Sequence, residues 1–185
     1  MLRMISLIAA FAATATLAAA QATPTGLPVP RFVSLKSSTA NARIGPSFDH
    51  DVRWTLARRG LPLLVVAETG DNWRKVRDPE GDEMWIHVSQ LSGRATALVL
   101  GEAPIALASS DAPGGPERAR LEPGVIVEVL GCTEQLCRVR AGRFSGFVSR
   151  RGLWGATGGR AATLAADAPP PLATGSIDAS GRDGY

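Results

Sequence analysis

The sequence predicts an all-β protein built as two small tandem β-barrels, and three observations lead there. Short runs rich in β-branched residues alternate with turn residues along most of the chain. Composition agrees, because 20 of the 185 residues are Gly, 13 are Pro and aromatics reach only 5%, while helical hydrophobic spacing is confined to the N-terminal segment. The pattern at residues 60–91 also returns, weakened, at 124–154, which marks two copies of one supersecondary unit. Each copy is close to the smallest size that can bury a core alone. Wrapping about five short strands so that the edges nearly meet both buries one face and hides the edges.

The chain begins with a targeting segment. Arg3 supplies a positive charge, residues 5–20 are apolar and Ala-rich, and small residues stand at cleavage spacing in Ala18-Ala19-Ala20 or Ala20-Gln21-Ala22. Residues 1–22 are therefore expected to be a secretory signal peptide. An uncleaved anchor is the disfavoured alternative, since Thr14, Thr16 and the Ala run make a weak span that Gln21 and Pro24 end. The mature protein is expected to be soluble, in the periplasm or secreted. Residues 21–30 read as an extended linker held out of helix by Pro24, Pro28 and Pro30.

Residues 31–100 are assigned to the first barrel. Residues 32–36 alternate as a strand, residues 37–51 read as a long irregular loop containing Asn41, Gly45 and Pro46, and residues 52–57 form the next strand. Leu63 to Val66 make an apolar run, residues 69–72 carry turn chemistry, and Trp73, Lys75 and Arg77 alternate with Arg74 and Val76. Asp78-Pro79-Glu80-Gly81 has the pattern of a type I turn, so the chain should reverse there and lay residues 84–87 beside 73–77. Residues 95–100 are taken as the closing strand and 101–104 as the boundary.

Residues 103–155 are assigned to the second barrel, in the same order. Residues 105–107 are a strand, 109–117 a Gly/Pro loop, and 118–121, 125–130, 138–140 and 146–148 further strands. Arg138-Val139-Arg140 matches Lys75-Val76-Arg77, and Gly146-Phe147-Val148 matches Met84-Trp85-Ile86. The expected core comprises Val65, Val76, Ile86 and Leu91 in one copy and Val127, Val139 and Val148 in the other, with the two copies packed together. Residues 156–185 turn to Gly, Ala, Pro and Ser and read as a disordered tail, a spacer or, through Pro169-Pro170-Pro171, a polyproline ligand.

Cys132 and Cys137 stand at the ends of two strands joined by a short turn, within reach of a disulfide, and an oxidising compartment favours the bond. Buried free thiols and a metal or redox pair are the disfavoured alternatives, since the spacing is not Cys-x-x-Cys and no histidine accompanies it. The formal charge of +3 is spread among acids, with Arg58-Arg59 near Glu68 and Arg74-Lys75 near Asp78 and Glu80. That pattern reads as a solvated mixed-charge surface and not as a nucleic-acid footprint.

Asn41-Ala42-Arg43-x-Gly45-Pro46-Ser47, Arg59-Gly60-Leu61-Pro62, residues 71–78 with Gly81, Trp85-Ile86-His87 and Leu91-Ser92-Gly93-Arg94 together resemble the bacterial SH3-like (SH3b) proteins exported by proteobacteria. The resemblance covers residues 31–154. It implies two SH3-like barrels without catalytic residues, acting as an envelope-binding or targeting module. Two positions depart from the pattern: Glu83-Met84 where the family usually has Gly before Trp, and Leu136 where the second copy usually carries Trp before Cys.

In such barrels the ligand groove lies between the long loop after the first strand and the turn before the third, which nominates Arg43, Phe48, Asp49, Trp73 and Trp85. Flat aromatic faces suit polyproline segments, peptide stems or sugars; the alternative is that Trp73 and Trp85 merely cover a thin core. The second copy has Leu136 and Phe147 in their places, so the first barrel is the better candidate. No enzyme is expected. The histidines are His50, in a loop, and His87, at a strand end and read as a turn residue. Ser47, His50 and Asp49 or Asp51 would have to hold a triad within one irregular loop. No cofactor or metal site and no membrane contact after signal cleavage is expected. The expected partner is cell-wall glycan or peptide (peptidoglycan) or an envelope protein, the alternative role being a periplasmic adaptor for peptide or Pro-rich segments.

Overall fold

The computed structural model describes residues 23–156, so the expected signal peptide at 1–22 and residues 157–185 of the expected tail lie outside the described residues. Strands β1 (Arg31–Leu35), β2 (Ala40–Arg43), β3 (Val52–Leu56), β4 (Pro62–Glu68), β5 (Trp73–Arg77), β6 (Glu83–His87) and β7 (Leu91–Ser92) form one antiparallel sheet, in the order β3-β2-β6-β5-β4-β1-β7. Strands β8 (Thr96–Val99), β9 (Ile105–Ala108), β10 (Glu117–Leu121), β11 (Ile126–Cys132), β12 (Leu136–Ala141), β13 (Phe144–Ser149) and β14 (Leu153–Trp154) form the second, in the order β10-β9-β13-β12-β11-β8-β14. The two orders are the same topology shifted by seven strands. A short 3-10 turn precedes the last strand of each, at Val88–Gln90 and Arg150–Gly152.

Each sheet wraps its own apolar core. Val65, Val76, Ile86 and Leu91 are buried in the first, with Leu35, Leu63 and Met84. Val127, Val139 and Val148 are buried in the second, with Val99, Leu107 and Cys137. Alternation does this: Met84 and Ile86 point inward from β6 while Glu83, Trp85 and His87 point out. The reversal at Asp78-Pro79-Glu80-Gly81 is closed by the Gly81 N–H donating to the Asp78 carbonyl at 3.2 Å. At the other end of β5, Asn72 takes a positive φ of 63° to turn the chain out of β4.

Three assignments are corrected. Residues 96–99 do not close the first barrel; β8 pairs with β11 (Ile126↔Leu98, Val127↔Ala97) and with β14 (Leu153↔Val99). It is the second copy's counterpart of β1, so the barrels meet at residues 93–95, and residues 101–104 are a bend inside the second barrel. Second, part of the predicted loop at 37–51 is β2, whose inward residues are only Ala40 and Ala42, too small to signal a strand by hydrophobicity. Third, Arg74 is not on a solvated face. It is 5% exposed, and its Nε lies 2.9 Å from Glu68, the residue opposite it across β4 and β5.

The barrels do pack on each other. Thr96 Oγ1 donates to the Gly60 carbonyl at 2.7 Å and shares a hydrogen bond with Ser34 Oγ at 2.8 Å. Arg58 bonds the Gly124 carbonyl, Arg94 pairs with Glu128 at 3.5 Å, and Phe32 meets Trp154 edge to face at 5.2 Å. Cys132 and Cys137 face each other across β11 and β12 and are disulfide-bonded.

Candidate functional site: a groove on the outer face of each barrel

Cross-strand pairing sets the outer face of the first barrel. β5 and β6 place Trp73 opposite His87, Lys75 opposite Trp85 and Arg77 opposite Glu83. β2 adds Asn41 and Arg43, with Arg43 opposite Trp85. The loop from β2 to β3 then folds back and brings Phe48 over the end of this face.

That loop is held by its own residues. The Ile44 N–H donates to the Asp51 carbonyl at 3.1 Å, Arg43 Nη1 donates to the His50 carbonyl at 2.5 Å, and Ser47 Oγ bonds His50 Nδ1 at 2.9 Å. Gly45 permits the fold, because a Cβ there would stand 2.3 Å from the His50 ring. Phe48 is thereby fixed with its ring 5.0 Å from Trp73 and 5.3 Å from His87, which is itself 5.4 Å from Trp73. Rings at such separations in tilted or edge geometry attract through their quadrupoles as well as by burial. Phe48 nevertheless stays 66% exposed, whereas Trp73 is 3% exposed.

A groove of about 230 Å³ runs along this cluster, lined by Asn41, Arg43, Phe48, Trp73, His87 and Ser89 among others. His87 Nδ1 accepts from the Ser89 N–H at 3.4 Å and contacts Ser89 Oγ at 2.8 Å, so the residue caps the 3-10 turn and lines the groove at once. In the neutral ring this leaves the hydrogen on Nε2. Beyond the groove, hydrogen bonds from Lys75 and Arg77 hold the Glu83 carboxyl below its ordinary value.

Of the five residues nominated from sequence, Arg43, Phe48 and Trp73 converge on the groove. Trp85 lies on the same face, half-buried between Arg43 and Lys75, and flanks the groove without lining it. Asp49 is exposed, and its N–H is spent on Ser47 Oγ at 3.1 Å; it does not line the groove. His87 and Asn41 were not nominated. Period-two spacing carries the signal for both, since His87 is two residues from Trp85 and Asn41 two from Arg43.

The second barrel has a groove of about 410 Å³ at the equivalent place, lined by Ala106, Ala108, Asp111, Leu136, Phe147 and Ser149 among others. Ala108 stands for Arg43, Leu136 for Trp73, Phe147 for Trp85 and Ser149 for His87. The replacements are smaller, and the groove is wider.

Besides the His87–Ser89 cap, the Ser47–His50 contact pairs a serine hydroxyl with an imidazole, and no carboxylate bonds the His50 ring among the described residues. Ser47 Oγ is also an acceptor for the Asp49 N–H, which makes the contact part of the loop's own scaffold.

A family model described as the bacterial SH3 domain matches residues 36–93 and 113–155, one segment in each barrel. No curated protein matches the chain. Among solved structures the chain is similar to NlpC2 from Trichomonas vaginalis, at 11% identity and a TM-score of 0.30, covering 68% of this chain and 48% of that one. It is similar also to NlpC1 from the same organism, at 15% identity and a TM-score of 0.29, covering 68% and 45%. The chain thus spans less than half the length of either.

Proposed function

Because the chain belongs to the bacterial SH3 domain family, we propose that it is an exported, non-catalytic binding module that recognises cell-wall glycan or peptide through the groove on its first barrel. The observation that carries this is Phe48, two-thirds exposed yet held against Trp73 and His87 beside the Arg43 guanidinium. A large apolar ring kept in water and in one orientation gains most when a ligand covers it, and pre-ordering lowers the entropy lost on binding. Export is supported by the signal-like residues 1–22 and by the Cys132–Cys137 disulfide, a bond that persists in oxidising compartments.

Co-sedimentation of the exported protein with purified peptidoglycan tests the proposal. Phe48→Ala should lower retention roughly tenfold, as loss of an aromatic anchor does, with little change in melting temperature because the ring is largely solvent-exposed. Full retention by the variant, or none by the wild type, would refute it. Trp73→Ala is the poorer probe, since removing a buried indole also damages the fold.

The wider, more apolar second groove favours a second reading, a periplasmic adaptor for peptide or Pro-rich segments. Absence of wall retention together with a protein partner recovered by crosslinking would select it.

A further inference from the structure

The two grooves occupy the same place on their barrels and differ in charge. The first is lined by Arg43 with the amides of Asn41 and Gln90, and no carboxylate lines it. The second has Asp111 on its wall and no Lys or Arg. Arg43 makes no salt bridge among the described residues, whereas Arg74, Lys75 and Arg77 of the same barrel each do. Its bond to the His50 carbonyl uses one of five guanidinium N–H donors, and its guanidinium carbon stands 5.7 Å from the centre of the Phe48 ring. With the Nε2–H of His87 and the Asn41 amide, the groove offers several donors and one uncompensated positive charge beside an aromatic wall.

We infer that the first groove reads a free carboxylate: it takes the end or branch of a short peptide whose carboxylate pairs with Arg43 while its aliphatic part lies on Phe48. This rests on the wall-binding reading and names the portion of the polymer that is recognised. Guanidinium suits the role because its planar donors meet a carboxylate in two parallel hydrogen bonds. At about 230 Å³ the groove is smaller than the ~300–1,000 Å³ sites that enclose drug-sized ligands, which favours a peptide end over a disaccharide. The second groove, with Ala108 in place of Arg43, has no such reader.

The test uses the full exported chain and purified peptidoglycan, either native or with its carboxylates amidated. Amidation should lower wild-type retention about tenfold, the order expected for losing a charge-assisted pair. Arg43→Gln should fall to the same level on native wall and then be indifferent to amidation. Because Arg43 also ties down the loop, Asn41→Asp is the second variant: it leaves the bond to His50 in place and sets a negative charge in the groove, so it too should lower retention on native wall. Equal wild-type retention on native and amidated wall, or an Arg43→Gln protein still sensitive to amidation, overturns the inference while leaving the wall-binding reading intact. No wild-type retention on native wall overturns both.

Discussion

Glu68 has no exposed side-chain surface and gathers the Thr25 hydroxyl at 2.6 Å, Arg31, and Arg74 at 2.9 Å. Burial pushes its carboxyl up; hydrogen bonds from Thr25 and Arg31, with the charges of Arg31 and Arg74, outweigh that and bring it below its ordinary 4.5. A carboxyl depressed in the folded state contributes stability that is present above pH 4.5 and is lost as pH falls through the lower, folded value. The melting temperature of the wild type should therefore drop below pH 4.5. Glu68→Gln should be less stable at pH 7 by about 3 kcal/mol, because two largely buried guanidinium groups lose their counter-charge, and should lose less on further acidification. Thermal melts at stepped pH would check both. None of this was legible in the sequence, where Arg74 and Glu68 look like members of a mixed surface; strand register alone makes them neighbours. Phe48 was legible from the groove position that the family resemblance implies, but its exposure and Trp73's burial depend on which ring covers which.

At the scale of elements, the β2–β3 loop and the β11–β12 hairpin each contain one local device that a substitution can remove. In the loop the device is the absence of a side chain at Gly45, and Gly45→Ala must displace the His50 ring from 2.3 Å. Such a variant should lose wall retention as Phe48→Ala does, while circular dichroism and the melting temperature stay near wild type, because the loop contributes little to the core. In the hairpin it is the disulfide. Closing so short a loop removes roughly 2 kcal/mol of chain entropy from the unfolded state, so Cys132→Ala with Cys137→Ala should destabilise by about that amount in denaturant melts. The cysteine pair could be read from spacing and strand ends. Strand β2 could not, because Ala-Asn-Ala-Arg alternates in burial without alternating in hydrophobicity.

The whole molecule behaves as a pair of cores sharing a polar seam. Thr96 is 8% exposed and bonds both Ser34 and the Gly60 carbonyl across that seam. Thr96→Val keeps the shape, leaves the Gly60 carbonyl short of a donor and takes away the Ser34 hydroxyl's partner, a loss of about 1–3 kcal/mol. Calorimetry should show a lower and broader transition, with the calorimetric enthalpy exceeding the van't Hoff value as the halves begin to melt separately. Duplication was visible in the sequence because turn residues and apolar runs repeat in order. The seam's position was not, since the first strand of the second copy follows the last strand of the first so closely that it reads as that barrel's closure. With Ser92 ending β7 and Thr96 opening β8, only three residues, Gly93, Arg94 and Ala95, join the halves. Anyone wishing to study a half in isolation has to divide the chain inside that tripeptide. A fragment stopped at Leu100 would carry a sticky apolar ribbon with nothing to pair with, and its complement from Gly101 onward would be missing the rung between β11 and β14.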